Sequence, residues 1–212
     1  GELIKHVGYS HRWAGEMVRV RSDKFISFRD VPMGLPADRA DYAEWLTAGR
    51  EPLLGLLRAA EPDAPMWAWG ADQHVRFWGR RQLFETVVHH ADARLALGRS
   101  PGIDAAVAVE GVDEFLENLP YAAAFAPNVK ELRGNGESLH FHCTDAEGEW
   151  MIQLNPDGFS WEHGHGKGSV AVRGAAADLL LLTYRRLKLN DARFQRFGDE
   201  GVLASWLANA HI

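Results

Sequence analysis

The sequence contains little cysteine and few long apolar runs, and each shortage excludes a class of protein. Cys143 is the only cysteine among 212 residues, so an intramolecular disulfide framework and a four-cysteine zinc site are excluded. No apolar run approaches the roughly 18 to 20 residues of a membrane helix. We therefore expect a soluble protein with no membrane partner, and the lone thiol fits a reducing, cytoplasmic compartment.

An excess of basic residues is also missing. Lysine and arginine total 23 against 29 aspartates and glutamates, which gives a formal net charge of -6, and the basic residues are scattered. Nucleic acid is therefore not an expected partner, since its binding requires a basic face.

The chain opens at Gly1 in helical sequence without an initiator methionine, which is compatible with missing upstream residues.

The sequence falls into two halves with different periodicity. Up to about Asn118 the apolar spacing is helical, and from Gly134 the chain becomes short alternating runs broken by turn residues. We expect a helical domain over residues 1–120 and a small α+β domain over residues 134–212. The boundary is predicted within Leu119–Gly136.

The first half predicts four helices, which suggests a bundle. Gly49 and Pro52 are expected to kink or split the second helix, and Gly98 is placed to terminate the third. The predicted helices are the segment from Leu3 to before Pro32, Asp38–Ala60, Val75–Leu97 and Asp104–Asn118.

The second half predicts strands followed by helices. The residues DAEG form a good hairpin turn between the first two strands, and a continuous apolar run after the strands indicates a helix. The predicted strands are Ser138–Cys143, Glu149–Asn155, Phe159–His163 and Ser169–Arg173, and the predicted helices are Ala175–Leu187 and a final one beginning at Asp199.

Glu85 and His89 lie four residues apart on the strongest predicted helix. At 3.6 residues per turn they are about 40° apart on one face, so both side chains can reach one ion. A helix-surface ion pair is the alternative, since ExxxH is common by chance. His6 would add a second imidazole, giving a ligand set suited to Zn²⁺ with open positions for catalysis. The alternative for His6 is a hydrogen-bonded structural residue.

A rival group of histidines lies in the second half. His140 and His142 share one strand face, and His163 and His165 repeat the spacing, so this pattern allows four imidazoles to converge on one metal ion. No carboxylate or cysteine is spaced to complete this site as convincingly as Glu85 completes the first, and exposed strand histidines are the simpler interpretation. Cys143 is expected to be a small packed residue rather than a nucleophile.

Three sequence runs resemble the mycothiol-dependent maleylpyruvate isomerase family. They are LIKHVGYSHRW at residues 3–13, RRQLFETVVHHADARLALG at 80–98, and SVAVRGAAADLLLLTYRRL at 169–187 with FGDEGVLASWLA after it. The resemblance covers nearly the whole chain. It implies a DinB-like four-helix bundle joined to a small α+β domain similar to sterol carrier proteins.

The resemblance also implies a metal site. His6, Glu85 and His89 match the family's ligands to a divalent ion, with Zn²⁺ favoured and Ni, Co or Fe as alternatives. Asp92 matches a further motif residue, which either orients an imidazole or caps the helix face. Arg186 matches an arginine that would bind an anionic substrate, and a solvated charge at a helix end is the alternative.

The implied function is that of an enzyme with a small-molecule substrate and mycothiol as cosubstrate. In the isomerase, the thiolate adds to the cis double bond of maleylpyruvate, rotation follows, and the thiolate leaves to give fumarylpyruvate. Relatives keep the thiol on the product, as S-transferases. Many members have His-Arg-Trp-Asp where this chain has His89, His90, Ala91 and Asp92. That difference keeps a non-catalytic metal- or small-molecule-binding protein as the alternative.

Overall fold

The helices of the first half form where the apolar spacing predicts them. In the computed structural model, which describes residues 1–212, the chain divides into two compact units, Gly1–Ser100 and Pro101–Ile212. The first unit contains three α-helices, which are α1 (Glu2–Val20), α2 (Tyr42–Ala59) and α3 (Val75–Ala96).

Helix α1 packs against both α2 and α3 in the first unit. The core between them is rich in aromatic residues, with Trp13, Phe77 and Trp78 buried together. Gly8 allows α1 to approach α2 closely, because a Cβ at that position would lie 2.1 Å from the ring of Trp45. This contact between α1 and α2 therefore requires glycine at position 8.

Helix α2 runs unbroken through Pro52, so of the predicted kink or split the split does not occur. Trp45, Gly49 and Leu53 recur every four residues and are all buried. The packed face therefore continues across the proline, and tertiary packing offsets the loss of one backbone donor.

The second unit combines helices with a mixed sheet. Its elements are α4 (Ala105–Asn118), β1 (Ser138–Cys143), β2 (Glu149–Asn155), β3 (Gly158–His163), β4 (Val170–Gly174), α5 (Ala176–Thr183), β5 (Gln195–Gly198) and α6 (Glu200–Asn209). The strand order is β3-β2-β1-β4-β5, and β1 pairs in parallel with β4 and antiparallel with β2. Helices α5 and α6 pack against β1 and β4. The predicted class, a helical region followed by a small α+β domain, is confirmed.

Three details differ from the sequence prediction. Helix α4 packs against α5 and belongs to the second unit, so the division falls after Ser100 instead of within Leu119–Gly136. Helix α5 ends at Thr183, four residues before the predicted end, and Arg185 then adopts a left-handed conformation with φ 59°. Strand β5 was not predicted, because four mostly exposed residues give no clear alternation.

None of the helices has the length and apolar character that crossing a lipid bilayer requires.

Candidate metal centre

The packing of α1 against α3 brings three predicted ligands together. His6 lies near the start of α1, and Glu85 and His89 lie on consecutive turns of α3. His6 Nε2 is 2.5 Å from Glu85 Oε1, and His89 Nε2 is 3.3 Å from the same oxygen. The two imidazole rings meet edge to face with centroids 4.7 Å apart. One carboxylate oxygen therefore lies between two imidazole nitrogens.

This donor set suits a divalent metal ion. One ligand atom from each of the three residues lies within 4.8 Å of the others. Bonds of about 2.0 to 2.2 Å in a tetrahedral zinc site place ligand atoms about 3.3 to 3.6 Å apart, so only small side-chain movements are needed. The His6 side chain is 59% exposed, against 18% for Glu85 and 16% for His89. The group is therefore open to solvent at His6, where a fourth ligand can enter.

The electrostatics of the group centre on Glu85. Burial acts to raise the pKa of Glu85, but the hydrogen bonds to His6 and His89 and the charge of Arg81 outweigh it and hold the pKa well below its ordinary value. Arg81 is buried, and its Nη2 lies 3.6 Å from Glu85 Oε2. Glu85 is therefore an anion. Arg81 lies one turn before Glu85 on the same helix, and no sequence motif marks it.

Asp92 contacts the second nitrogen of His89. Its Oδ2 lies 2.8 Å from His89 Nδ1, which leaves Nε2 facing Glu85. Burial acts to lower the pKa of His89, but the hydrogen bonds with Glu85 and Asp92 outweigh it and raise the pKa. This geometry favours the orienting role over the helix cap, since a carboxylate on the outer nitrogen fixes the imidazole's tautomer and angle.

Arg186 lies just beyond α5 in the second unit. Its side chain is exposed, and Nη1 donates a hydrogen bond to the Tyr184 carbonyl at 2.7 Å. The contact holds the guanidinium against its own turn. The substrate-binding role of Arg186 stays a prediction.

The rival histidines also meet, and a carboxylate joins them. His140, His142 and His165 surround Glu149, and the four ligand atoms lie within 4.8 Å of one another. The expectation that no carboxylate completes this group as convincingly as the first was therefore wrong. His163 is not part of the cluster and instead contacts Asp113, with Nε2 3.2 Å from Oδ1.

The signal that would have revealed Glu149 is the register of the predicted hairpin. Glu149 pairs directly with His142 across β1 and β2, so the two side chains lie on the same face of the sheet. Counting outward from DAEG pairs Glu149 with Thr144 and still places Glu149 on the same face as His142, whereas the observed loop is Thr144–Glu147 and pairs Glu149 with His142 directly.

Cys143 is buried at the end of β1. Burial, with the nearby carboxylates of Asp145 and Asp113, raises the pKa of its thiol to about 12. The thiol is therefore protonated at neutral pH, as expected for a packed residue without nucleophilic activation.

Comparison with known proteins gives two domain matches that together cover most of the chain. The profile described as "Mycothiol maleylpyruvate isomerase N-terminal domain" matches residues 1–94, and that described as "MDMPI C-terminal domain" matches residues 106–206. No curated protein matches the chain.

The similar solved structures share little sequence identity with this chain and have low TM-scores. A protein titled "UbiJ-SCP2 Ubiquinone synthesis protein" is 17% identical with a TM-score of 0.35, over 50% of this chain and 87% of its own. A stereoselective inverting sec-alkylsulfatase from Pseudomonas sp. is 16% identical with a TM-score of 0.40, over 99% of this chain and 30% of its own. Structural similarity at this level supports no functional inference.

Proposed function

The chain belongs to the mycothiol maleylpyruvate isomerase family, and we propose that it is a divalent-metal-dependent enzyme that uses mycothiol as cosubstrate, in an isomerisation or an S-transfer. The observation that carries the proposal is the convergence of His6, Glu85 and His89 from two helices. Those three residues are the proposed ligands, with Zn²⁺ favoured over Ni, Co or Fe because two imidazoles and one carboxylate suit it well.

The chemistry that a bound ion supplies is the conversion of a thiol with pKa of about 8.5 into a thiolate at neutral pH. The residues of the chain prepare the site for it. Glu85 contributes a negative charge between the two imidazoles, and Asp92 holds His89 in the tautomer that presents Nε2. The exposed His6 side leaves access for a thiol from solvent.

The proposed isomerisation balances without an oxidant or reductant. The thiolate sulfur forms a bond to one carbon of a cis double bond, and the displaced electron pair is delocalised onto the conjugated carbonyl. Rotation about the resulting single bond is followed by cleavage of the carbon–sulfur bond, which regenerates the thiolate. A substrate of the maleylpyruvate type also carries carboxylates, and we propose that Arg186 binds one of them.

A non-catalytic metal- or small-molecule-binding protein is the second candidate. The observation that favours it is the exchange beside His89, where His90 and Ala91 stand in place of the family's arginine and tryptophan. Ala91 is fully buried and His90 is exposed, so a large aromatic side chain is lost from the packed face of α3. Metal binding without thiol affinity would support this candidate.

The proposal is tested by elemental analysis and mycothiol titration of three proteins. The wild type, His89→Ala and His90→Ala are compared, and His90 is the matched control because it is an exposed histidine one residue away. We expect His89→Ala to lose about one ion per chain together with thiol binding, and His90→Ala to keep both. Equal metal content and equal thiol affinity in all three proteins would refute the proposal.

We place the reaction in the cytoplasm, where low-molecular-weight thiols stay reduced. The proposed partners are therefore mycothiol and an anionic small molecule.

A further inference from the structure

A second group of metal-binding side chains lies on the sheet of the second unit. We propose that His140, His142, Glu149 and His165 form a closed, four-ligand site for Zn²⁺ or a similar divalent ion, which fastens the β3–β4 connection to the sheet. This site is separate from His6, Glu85 and His89 and is independent of the proposed function.

The four side chains already converge around one carboxylate. Glu149 Oε2 lies 3.2 Å from His140 Nε2 and 2.8 Å from His165 Nδ1, and Glu149 Oε1 lies 2.7 Å from His142 Nδ1. The three imidazole rings are in mutual edge-to-face contact, with centroids 5.2 to 6.1 Å apart. Donors from three chain segments thus face a single point.

The alternation of β1 and β2 places three of these residues on one face of the sheet. Leu139 and Phe141 are buried in the core, so His140 and His142 project from the opposite face. Glu149 is the direct cross-strand partner of His142. Three ligands are therefore positioned by the hydrogen-bonded ladder, which is a rigid support.

The fourth ligand comes from the glycine-rich connection between β3 and β4. A Cβ at Gly166 would lie 3.2 Å from Met151 Sδ, so the glycine lets this segment lie close against β2. The connection shields His140, which is only 5% exposed although it projects away from the core. His165 reaches back to Glu149 from this segment, and its own side chain is 77% exposed.

The donor set fits a structural ion. Three imidazoles and one carboxylate fill the four positions of a tetrahedral zinc site, which leaves none for substrate. Ligand atoms in such a site are about 3.3 to 3.6 Å apart, so the nitrogens need to move away from the carboxylate by less than about 1 Å. The single carboxylate gives the cluster one negative charge, which attracts a cation.

One neighbouring cation opposes binding. Arg173 on β4 lies beside His142 in register, and its Nη2 is 3.5 Å from His142 Nε2. When Nδ1 binds an ion, Nε2 carries the proton and cannot accept from the guanidinium. Arg173 is exposed, so it can turn into solvent when the ion binds.

Zn²⁺ titration into a protein lacking the first centre tests the proposal. The background variant is His6→Ala/His89→Ala, and Zn²⁺ affinity is measured by competition with a chromophoric chelator. Glu149→Gln and His165→Ala are added singly to this background. His165→Ala tests the site even if Glu149→Gln misfolds, because the His165 side chain is mostly exposed. His163→Ala is the matched control, since His163 is a neighbouring exposed histidine whose imidazole contacts Asp113 and the backbone carbonyl of Glu149 but not the Glu149 carboxylate.

We expect the background variant to bind about one Zn²⁺ per chain. The Zn²⁺ affinity should fall by more than about 100-fold in Glu149→Gln and in His165→Ala. This loss exceeds the 10- to 100-fold effect of removing a residue that only supports a ligand. His163→Ala should bind as tightly as the background. Co²⁺ in place of Zn²⁺ should give the intense visible absorption of a four-coordinate ion. The proposal is overturned if the background variant binds no Zn²⁺, which would make the group a hydrogen-bonded histidine cluster. It is also overturned if His165→Ala leaves the affinity unchanged.

Discussion

The two histidine clusters use the same donor types on different supports. In the first unit, His6, Glu85 and His89 come from two packed helices and number three, and the His6 side faces solvent. In the second unit, His140, His142, Glu149 and His165 come from two strands and a connection and number four. Three ligands leave a coordination position for a substrate, whereas four do not. This difference in donor number is the reason that we propose a reaction centre at the helical cluster and a structural ion at the strand cluster.

The largest expected effect separates the clusters by function. Glu85→Gln should abolish thiol-dependent activity and weaken metal binding at the first centre by more than about 100-fold, because it removes the charge between the two imidazoles. Glu149→Gln should weaken the second site equally and leave the activity per folded protein unchanged. Activity assays on both variants measure this. Loss of activity in Glu149→Gln with its fold intact would mean that the two clusters are not functionally distinct.

The two clusters also differ in how far they can be predicted from sequence. Glu85 and His89 lie on one helix, so their shared face follows from the spacing alone. His6 joined them through family resemblance, since no local pattern states which helix packs on α3. Glu149 was missed because its partnership with His142 depends on hairpin register, although the two strands were predicted at their observed bounds.

In the overall fold, too, the sequence predicted local elements but not contacts between distant segments. The order of the main helices and strands followed from periodicity and turn residues. Periodicity did not predict that α4 belongs to the second unit, because this depends on the packing of its apolar face against α5, which lies far along the chain. The end of α5 was also missed, since its apolar sequence continues past Thr183 while the backbone turns at Arg185.

An intermediate effect is expected at Asp92. Asp92→Asn should weaken metal binding at the first centre by about 10- to 100-fold, because the amide supports the His89 imidazole less strongly than the carboxylate does. The same substitution should leave the second site unaffected. Zn²⁺ competition titrations in Asp92→Asn and in the wild type give the comparison. Unchanged affinity at the first centre would assign Asp92 to the helix surface instead.

A smaller effect of opposite sign is expected at Arg173. Arg173→Ala should tighten Zn²⁺ binding at the second site by about two- to five-fold, since an exposed charge contributes up to about 1 kcal/mol. The measurement uses the His6→Ala/His89→Ala background. Weaker binding in Arg173→Ala would show that the arginine supports His142 and does not compete with the ion.

A pH-dependent effect is expected at an imidazole outside both clusters. His11 is buried between α1 and α3, where Nε2 lies 3.3 Å from Thr86 Oγ1. Burial lowers the pKa of His11 below its ordinary value of 6.5. The unfolded chain therefore binds the proton more readily, so the stabilising contribution is complete above about pH 6.5 and is lost as the pH falls below it.

His11→Gln should flatten this part of the pH dependence. The free energy of unfolding of the wild type should fall more steeply between pH 6.5 and 5 than that of the variant, by at most the roughly 1.4 kcal/mol per pH unit that one proton allows. Urea unfolding at several pH values measures the slopes. Parallel slopes would show that His11 contributes nothing to acid sensitivity, and a steeper variant would reverse the assignment.

The proton released when mycothiol binds distinguishes thiolate formation at the first centre from binding of the neutral thiol. Calorimetric titration of mycothiol into the Zn²⁺-loaded protein at pH 7, in two buffers of different ionisation enthalpy, gives the number of protons lost per thiol bound. A thiol with pKa of about 8.5 that becomes a thiolate at the first centre should release about one proton in the wild type and in His90→Ala. His89→Ala should show neither binding nor release. Mycothiol that binds the wild type without releasing a proton, or binds His89→Ala equally well, would show that the first centre does not convert the thiol to a thiolate.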